Sequence, residues 1–269
     1  MHHPPPLRLI LIVLGLFSVV LAALLLNNRQ TGQLRIILPQ IDGDAALIIT
    51  PDGHTVLIDG GADGASLATW LGNTLPFGQR RLDALVLTQS TSDPVSGQLA
   101  AIRRYRIGMA LLGEQEQKSS SLEAWWELLL AQNTMPQVVA AGDRLQLGDC
   151  TLHTLGEHTG RLALHVDCPA TTAYFLQAID DEIEAALEGR ALEQADLVVL
   201  NWHRPTNQLL LHALHPKNIV FTSGNGDGSP QRWNERQIGD AQLYHTALNG
   251  QIEVLSDGQQ TWLRADQER

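Results

Sequence analysis

Apolar and polar positions along the chain fall into short runs separated by turn-forming residues. Leu34–Leu38, Ala45–Thr50 and Thr55–Asp59 read as strands, each a brief aliphatic run bounded by turn formers. Pro51-Asp52-Gly53-His54, between the second and third, has turn chemistry, because proline presets φ and glycine tolerates φ > 0. Gly60-Gly61 closes the third strand. Ala65–Leu75 is predicted as a helix, Leu82–Leu87 as a buried strand, Ser96–Tyr105 as a helix and Met109–Leu112 as a short strand. In Ser121–Gln132 the residues Leu122, Trp125, Trp126 and Leu129 recur at helical spacing.

The second half repeats this rhythm. Asp143–Leu155 and Arg161–Asp167 alternate apolar and polar residues, and Thr172–Leu176 reads as a further strand. Asp181–Glu188 is a helix, Leu197–Leu200 a buried strand, Gln208–Leu214 a helix and Asn218–Thr222 a strand. Gln251–Leu255 and Gln260–Leu263 form a hairpin over Ser256-Asp257-Gly258. Two strand-rich halves, each with its own helices, predict an α+β domain over residues 34–263. Its architecture should be a four-layer αββα sandwich, followed by a tail at 264–269.

Leu9–Leu26 has a different pattern, 18 consecutive uncharged residues diluted only by Gly15 and Ser18. At about 1.5 Å per residue a helix of that length spans about 27 Å, close to a bilayer core. A cleaved signal peptide has a shorter apolar region and a small-x-small site. Val20-Leu21-Ala22-Ala23, followed by three leucines, is a poor one. The expectation is a single-pass anchor at 9–26, with a short tail at 1–8 and a linker at 27–33. That anchor would sit in the cell (inner) membrane with the C-terminal domain outside the cytoplasm.

Hydrophobic residues make up 44% of the 269, enough for a substantial core. The net charge of −11 repels a phosphate backbone and disfavours nucleic acid as a partner. Cys150 and Cys168 do not form a C-x-x-C pair, which excludes a zinc knuckle. They flank a predicted hairpin, as two buried thiols or as a disulfide suited to an oxidising exterior.

Four segments, in order, carry a resemblance. Ile41-Asp42-Gly43-Asp44-Ala45 is one, and Pro51-Asp52-Gly53 with Thr55-Val56-Leu57-Ile58-Asp59-Gly60-Gly61 is another. Leu82-Asp83-Ala84-Leu85-Val86-Leu87-Thr88 and Tyr244-His245-Thr246 with Asn249-Gly250-Gln251-Ile252 complete the set. Together they resemble the metallo-β-lactamase-fold domain of the ComEC/Rec2 competence family, which imports DNA. The resemblance implies that fold from about Leu34 to Leu263. It also implies a loop after the Leu82–Thr88 strand that reads H-x-H-x-D-H and holds two divalent ions, which activate a water.

The ligand positions of this chain depart from that pattern. Gln89, Thr91, Asp93 and Pro94 occupy the loop, so only the aspartate matches. Ala178-Ile179-Asp180 retains the aspartate of a later motif, and Trp202-His203-Arg204 retains one histidine. Neutral oxygen donors are poor zinc ligands, proline offers no donor, and Arg204 brings a positive charge. Asp93, Asp180 and His203 are therefore vestigial metal candidates, and no catalytic residue is assigned. Asp93 and Asp180 also suit helix capping. Asp59, by the resemblance, braces the loop. Gln89, Ser90, Thr91 and Trp202 would line the old cleft, with Trp202 stacking on a ligand there or lying in the core. His153, His158, His165, His212, His215 and His245 are scattered and suggest no site.

The expectation is a membrane-anchored, catalytically inactive binding or scaffold module without a cofactor. The alternative is a metal-dependent, phosphodiesterase-like hydrolase with a reduced one-metal site for zinc or manganese. The family joins this domain to a multi-helix pore in one chain; a third reading is that the domain partners a separate membrane channel, which nothing in the sequence identifies. The sequence identifies no small ligand.

Overall fold

The computed structural model describes residues 32–115, 119–204, 207–223, 233–234, 236 and 238–267. In chain order the first half carries β1 (Leu34–Leu38), β2 (Ala45–Ile49), β3 (Thr55–Asp59), α1 (Gly64–Thr74), β4 (Arg81–Leu87), α2 (Ser92–Arg104), β5 (Arg106–Leu112), α3 (Ser120–Ala131) and β6 (Pro136–Val138). The second half carries β7 (Arg144–Leu147), β8 (Cys150–His158), β9 (Arg161–Cys168), β10 (Thr171–Phe175), α4 (Asp181–Leu187), β11 (Leu197–Asn201), α5 (Gln208–Leu214) and β12 (Asn218–Thr222). β13 (Gln242–His245), α6 (Thr246–Asn249), β14 (Ile252–Ser256) and β15 (Thr261–Ala265) follow.

The strands form two sheets. One runs β15-β14-β1-β2-β3-β4-β5-β6 and the other β13-β12-β11-β10-β9-β8-β7. Most of these strands are apolar on both faces, because each sheet is covered twice. Val56 and Ile58 of β3 face the core between the sheets, whereas Leu57 faces the layer of α1, α2 and α3. Phe175 of β10 joins the inter-sheet core, and Tyr174 packs outward with residues of α4 and α5. These three apolar layers make the four-layer sandwich.

Side chains cap the helices where the sequence offers them. Asp63 accepts from the Ala65 and Ser66 N–H groups at 3.2 and 3.0 Å and so starts α1. Asn207 starts α5 in the same way, accepting from Leu209 at 3.0 Å.

Several boundaries differ from the sequence reading. The run Asp143–Leu155 is two strands, because Gly148, at φ 64°, turns the chain between β7 and β8. Helix α2 begins at Ser92, a turn before the predicted Ser96. The three-residue edge strand β6 starts on a proline and has too little pattern to be predicted. Cys150 and Cys168 are joined by a disulfide across the open ends of β8 and β9, with Cα atoms 4.3 Å apart. The predicted anchor at 9–26 lies outside the described residues. Among the described residues no helix is long and apolar enough to cross a membrane.

Candidate functional site

The site is built on a contact between two glycines. A Cβ on Gly97 would lie 1.7 Å from the Gly60 carbonyl oxygen, so no other residue fits there. The first turns of α2 consequently rest on the end of β3, backbone against backbone. Gln98, fully buried, extends the contact: its Nε2 donates to the Val86 carbonyl at 2.8 Å and its Oε1 accepts from Trp125 Nε1 at 2.8 Å. One amide thereby ties α2 to β4 and to α3.

Asp59 ends β3 at φ 54°, the left-handed region, and is fully buried. The Thr88 N–H donates to its Oδ1 at 2.8 Å, and the Thr88 hydroxyl meets its Oδ2. This pair holds the start of the loop that leaves β4. Burial pushes the Asp59 carboxyl up to about 8, against the hydrogen bonds from Thr88, which lower it. Asp44 adds a smaller upward push.

Asp44 stitches the two sheets together. It is buried just before β2 and accepts from three groups at the ends of β11 and β12. These are the Thr222 hydroxyl at 2.5 Å, the Ser223 hydroxyl at 2.7 Å and Asn201 Nδ2 at 3.2 Å. A second stitch is the Leu162 N–H, which donates to the Thr88 carbonyl at 2.9 Å. It brings the start of β9 beside the loop.

That stitch delivers Arg161 to the loop. Its Nη1 donates to the Gln89 side-chain carbonyl at 3.3 Å and to the Ala178 carbonyl at 3.0 Å. Its Nε lies 4.0 Å from Asp180 Oδ2. A fixed guanidinium thus joins the loop at Gln89 to the segment ending in Asp180, the two strips that the resemblance gives to metal ligands.

Asp180 has two further partners. Its Oδ1 accepts from the Ile183 N–H at 3.0 Å, capping α4, and its Oδ2 pairs with His158 Nδ1 at 2.8 Å. Partial burial pushes the Asp180 carboxyl up, but the bonds from His158 and Ile183 outweigh it and hold the group below its ordinary value. The same pairing raises His158 above the usual imidazole range. Glu182 Oε2 lies 3.8 Å from His158 Nδ1. His158, Asp180 and Glu182 have ligand atoms within 4.8 Å of one another, which makes them the metal-competent group among the described residues.

The vestigial candidates do not gather. Asp93 is exposed in the first turn of α2, and the cap position is Thr91, whose side chain makes no capping bond. His203 is exposed in the turn after β11, its N–H donating to Asn201 Oδ1 at 2.9 Å. Of the three, only Asp180 belongs to the group with His158 and Glu182. Gln89 and Ser90 are half-buried beside the loop. Trp202 is 3% exposed and packs against Phe221, Trp233 and His245 at 5.1–5.2 Å, so it serves the core and not a ligand face. Arg204 turns back onto α4, with Nη2 2.9 Å from Asp181 Oδ1 and 3.2 Å from Glu184 Oε1.

His158, Arg161 and Asp44 were missed as site residues. A charged residue opening an apolar strand was the available signal for Asp44. Nothing local marks Arg161 or His158, whose roles depend on long-range partners.

The residues present do not fit a pair of divalent ions. The loop offers one carboxylate and no imidazole, Asp180 is engaged by a histidine and a helix cap, and Arg161 supplies a permanent positive charge between the two strips. Cations repel one another, and a guanidinium does not deprotonate in a protein.

No protein-family model matches the chain, and comparison with curated proteins finds no match. Solved structures do match. The metallo-β-lactamase-fold protein YhfI from Bacillus subtilis superimposes with a TM-score of 0.55 at 14% identity, over 86% of this chain and 99% of that one. Zinc-bound PqqB from Methylobacterium extorquens gives 0.55 at 10% identity, over 79% and 97%. A protein from Parabacteroides distasonis, provisionally described as a metal-dependent hydrolase, gives 0.53 at 12% identity, over 80% and 93%. Identities this low speak for the fold alone: the chain has a metallo-β-lactamase fold.

Proposed function

We propose that the chain is a catalytically silent metallo-β-lactamase-fold protein that works as a binding or scaffold module. The supporting observation is Arg161, which meets Gln89 and Ala178 and approaches Asp180 where a hydrolase of this fold would hold ions. The frame survives around it in Asp59–Thr88 and Gly60–Gly97, while the ligands do not. Kinship with the ComEC/Rec2 domain is part of this reading and rests on the four sequence segments. So is a single-pass membrane anchor at 9–26, with the domain outside the cytoplasm. The Cys150–Cys168 disulfide supports that side of the membrane, because such bonds persist in oxidising compartments. A membrane protein is the partner that reading favours. The test is metal content by mass spectrometry together with turnover of bis-p-nitrophenyl phosphate in zinc and in manganese. We expect substoichiometric metal and no turnover; stoichiometric metal with turnover lost in Asp180→Ala would overturn the proposal.

A second reading has one observation in its favour. His158, Asp180 and Glu182 are an imidazole and two carboxylates in one group, suitable donors for a single zinc or manganese ion. On that reading the protein is a hydrolase with a reduced site at His158, Asp180 and Glu182. Metal-dependent turnover abolished by His158→Ala but retained in Asp93→Ala would favour it.

A further inference from the structure

Strands β4 and β5 begin at one end of the domain, and positive charge gathers there. Arg80 and Arg81 lead into β4, Arg103 and Arg104 end α2, and Arg106 opens β5 in register with Arg81. All five are exposed. They are five of 18 lysines and arginines in a chain of net charge −11, so the cluster runs against the charge of the whole. Arg80, Arg103, Arg104 and Arg106 have no carboxylate within ion-pair distance among the described residues. Asp83 is held by Arg81 Nε at 3.2 Å, and Asp52 turns to the second sheet, where its Oδ2 accepts from the Asp149 N–H at 3.2 Å.

Phe77, in the turn that leads from α1 into Arg80 and Arg81, stands in solvent at the same end. It is 104% exposed, the most exposed large apolar side chain among the described residues. The Gln79 N–H closes the turn by donating to the Pro76 carbonyl at 3.0 Å, and Gly78 takes φ 89°. The chain also enters the domain at this end. The Gly32 N–H donates to the Pro51 carbonyl at 3.4 Å, in the turn that leads into Thr55. The Thr55 N–H donates to Asp83 Oδ2 at 2.9 Å, two residues from Arg81. In the sequence only residues 27–31 separate Gly32 from the apolar run Leu9–Leu26, a tether of at most about 20 Å.

We propose that this end of the domain docks on an anionic phospholipid bilayer, with the arginines at the lipid phosphates and Phe77 entering the head-group layer. Guanidinium forks match phosphate oxygens. Each basic side chain at an anionic membrane surface strengthens binding about fivefold. A phenyl ring gains by leaving water for the acyl boundary. A DNA duplex offers the same phosphates but no apolar layer for the ring. The proposal takes only the tether from the anchor reading and is independent of whether the Arg161 cleft is silent.

The test is fluorine NMR of the full-length chain carrying 4-fluorophenylalanine, in nanodiscs that include a gadolinium-chelate lipid. The four phenylalanines are separate probes: Phe17 lies in the apolar run, Phe77 beside the arginines, and Phe175 and Phe221 are fully buried. Phe17 should broaden alike in discs of phosphatidylcholine and in discs with one third phosphatidylglycerol, which tests the anchor alone. Phe77 should broaden only in the phosphatidylglycerol discs, and Phe175 and Phe221 in neither. Arg103→Gln combined with Arg106→Gln should reduce the Phe77 broadening at least about fivefold. Salt at about 1 M, where the screening length is about 3 Å, should erase it. A Phe77 signal indifferent to lipid charge or to the double variant, or one that responds to a short DNA duplex and not to phosphatidylglycerol, would overturn the proposal. If Phe17 does not broaden, the anchor fails, and flotation of the chain with phosphatidylglycerol vesicles but not with phosphatidylcholine vesicles decides for the docking face, its absence against it.

Discussion

Arg161 donates from Nη1 to the Gln89 side-chain carbonyl at 3.3 Å, across 72 residues of chain. The bond puts a permanent cation on the loop at Gln89. Arg161→Ala removes a donor from both Gln89 and the Ala178 carbonyl. With the side chain 38% exposed, water replaces part of the loss, and the cost is about 1 kcal/mol in thermal denaturation. On the proposed reading the variant should take up no stoichiometric zinc. Uptake of a full equivalent would show that the guanidinium alone, and not the missing imidazoles, excludes the ion.

Asp59 gives the protein a pH dependence of definite sign. Burial raises its carboxyl from 3.8 to about 8, so the native state keeps a proton that the unfolded chain releases. Stability from this group is complete below about pH 4 and drains away as the pH rises toward 8. Asp59→Asn carries the same hydrogen-bonding pattern as the protonated acid, and asparagine tolerates the φ of 54° at this position. Urea unfolding from pH 5 to 8 should fall in stability for the parent and flatten in Asp59→Asn. An unchanged slope in the variant would assign the dependence to other groups.

Asp44 is predicted to be the most sensitive polar position. Asp44→Ala would take the carboxylate acceptor from the Ser223 hydroxyl and the Asn201 amide and leave the Thr222 hydroxyl only the Leu200 carbonyl at 3.3 Å. Orphaned buried donors cost 1–3 kcal/mol each where water cannot reach them. A loss of about 3 kcal/mol in chemical denaturation is expected, with the two sheets losing their link at the loop end.

The disulfide should be a measurable part of stability. Cys150 and Cys168 are 18 positions apart, and closing a loop near that length stabilises by about 3 kcal/mol on the chain-entropy model. Cys150→Ser, or reduction, should shift the denaturation midpoint accordingly, and thiol titration of the unreduced protein should find no free sulfhydryl. Equal midpoints with and without reductant would show that the bridge contributes nothing.

The individual strands and helices were legible where burial dictated pattern. β3, α5 and β12 fall at their predicted residues because doubly covered strands become unbroken apolar runs and a short amphipathic helix shows its period. β6 was illegible, since three residues at a sheet edge carry no period. For the site the sequence offered only a resemblance, in which Gln89, Thr91 and Pro94 stand where imidazoles would be expected. The place of Arg161 was not legible, because it reaches Gln89 only after a register between β8 and β9 and a bond from Leu162 to Thr88 are set. The bond between His158 and Asp180 was hidden for the same reason. Trp202, whose position in a motif suggested a ligand face, is held by Phe221, Trp233 and His245, which come from distant parts of the chain.

Gly60 meets Gly97 with nothing but main chain between them. Because no side chain takes part, the joint is blind to the letters written between Gln89 and Pro94. Loops of quite different chemistry can be mounted on the same footing without moving it, and a pocket can change its trade while its walls stay where they were.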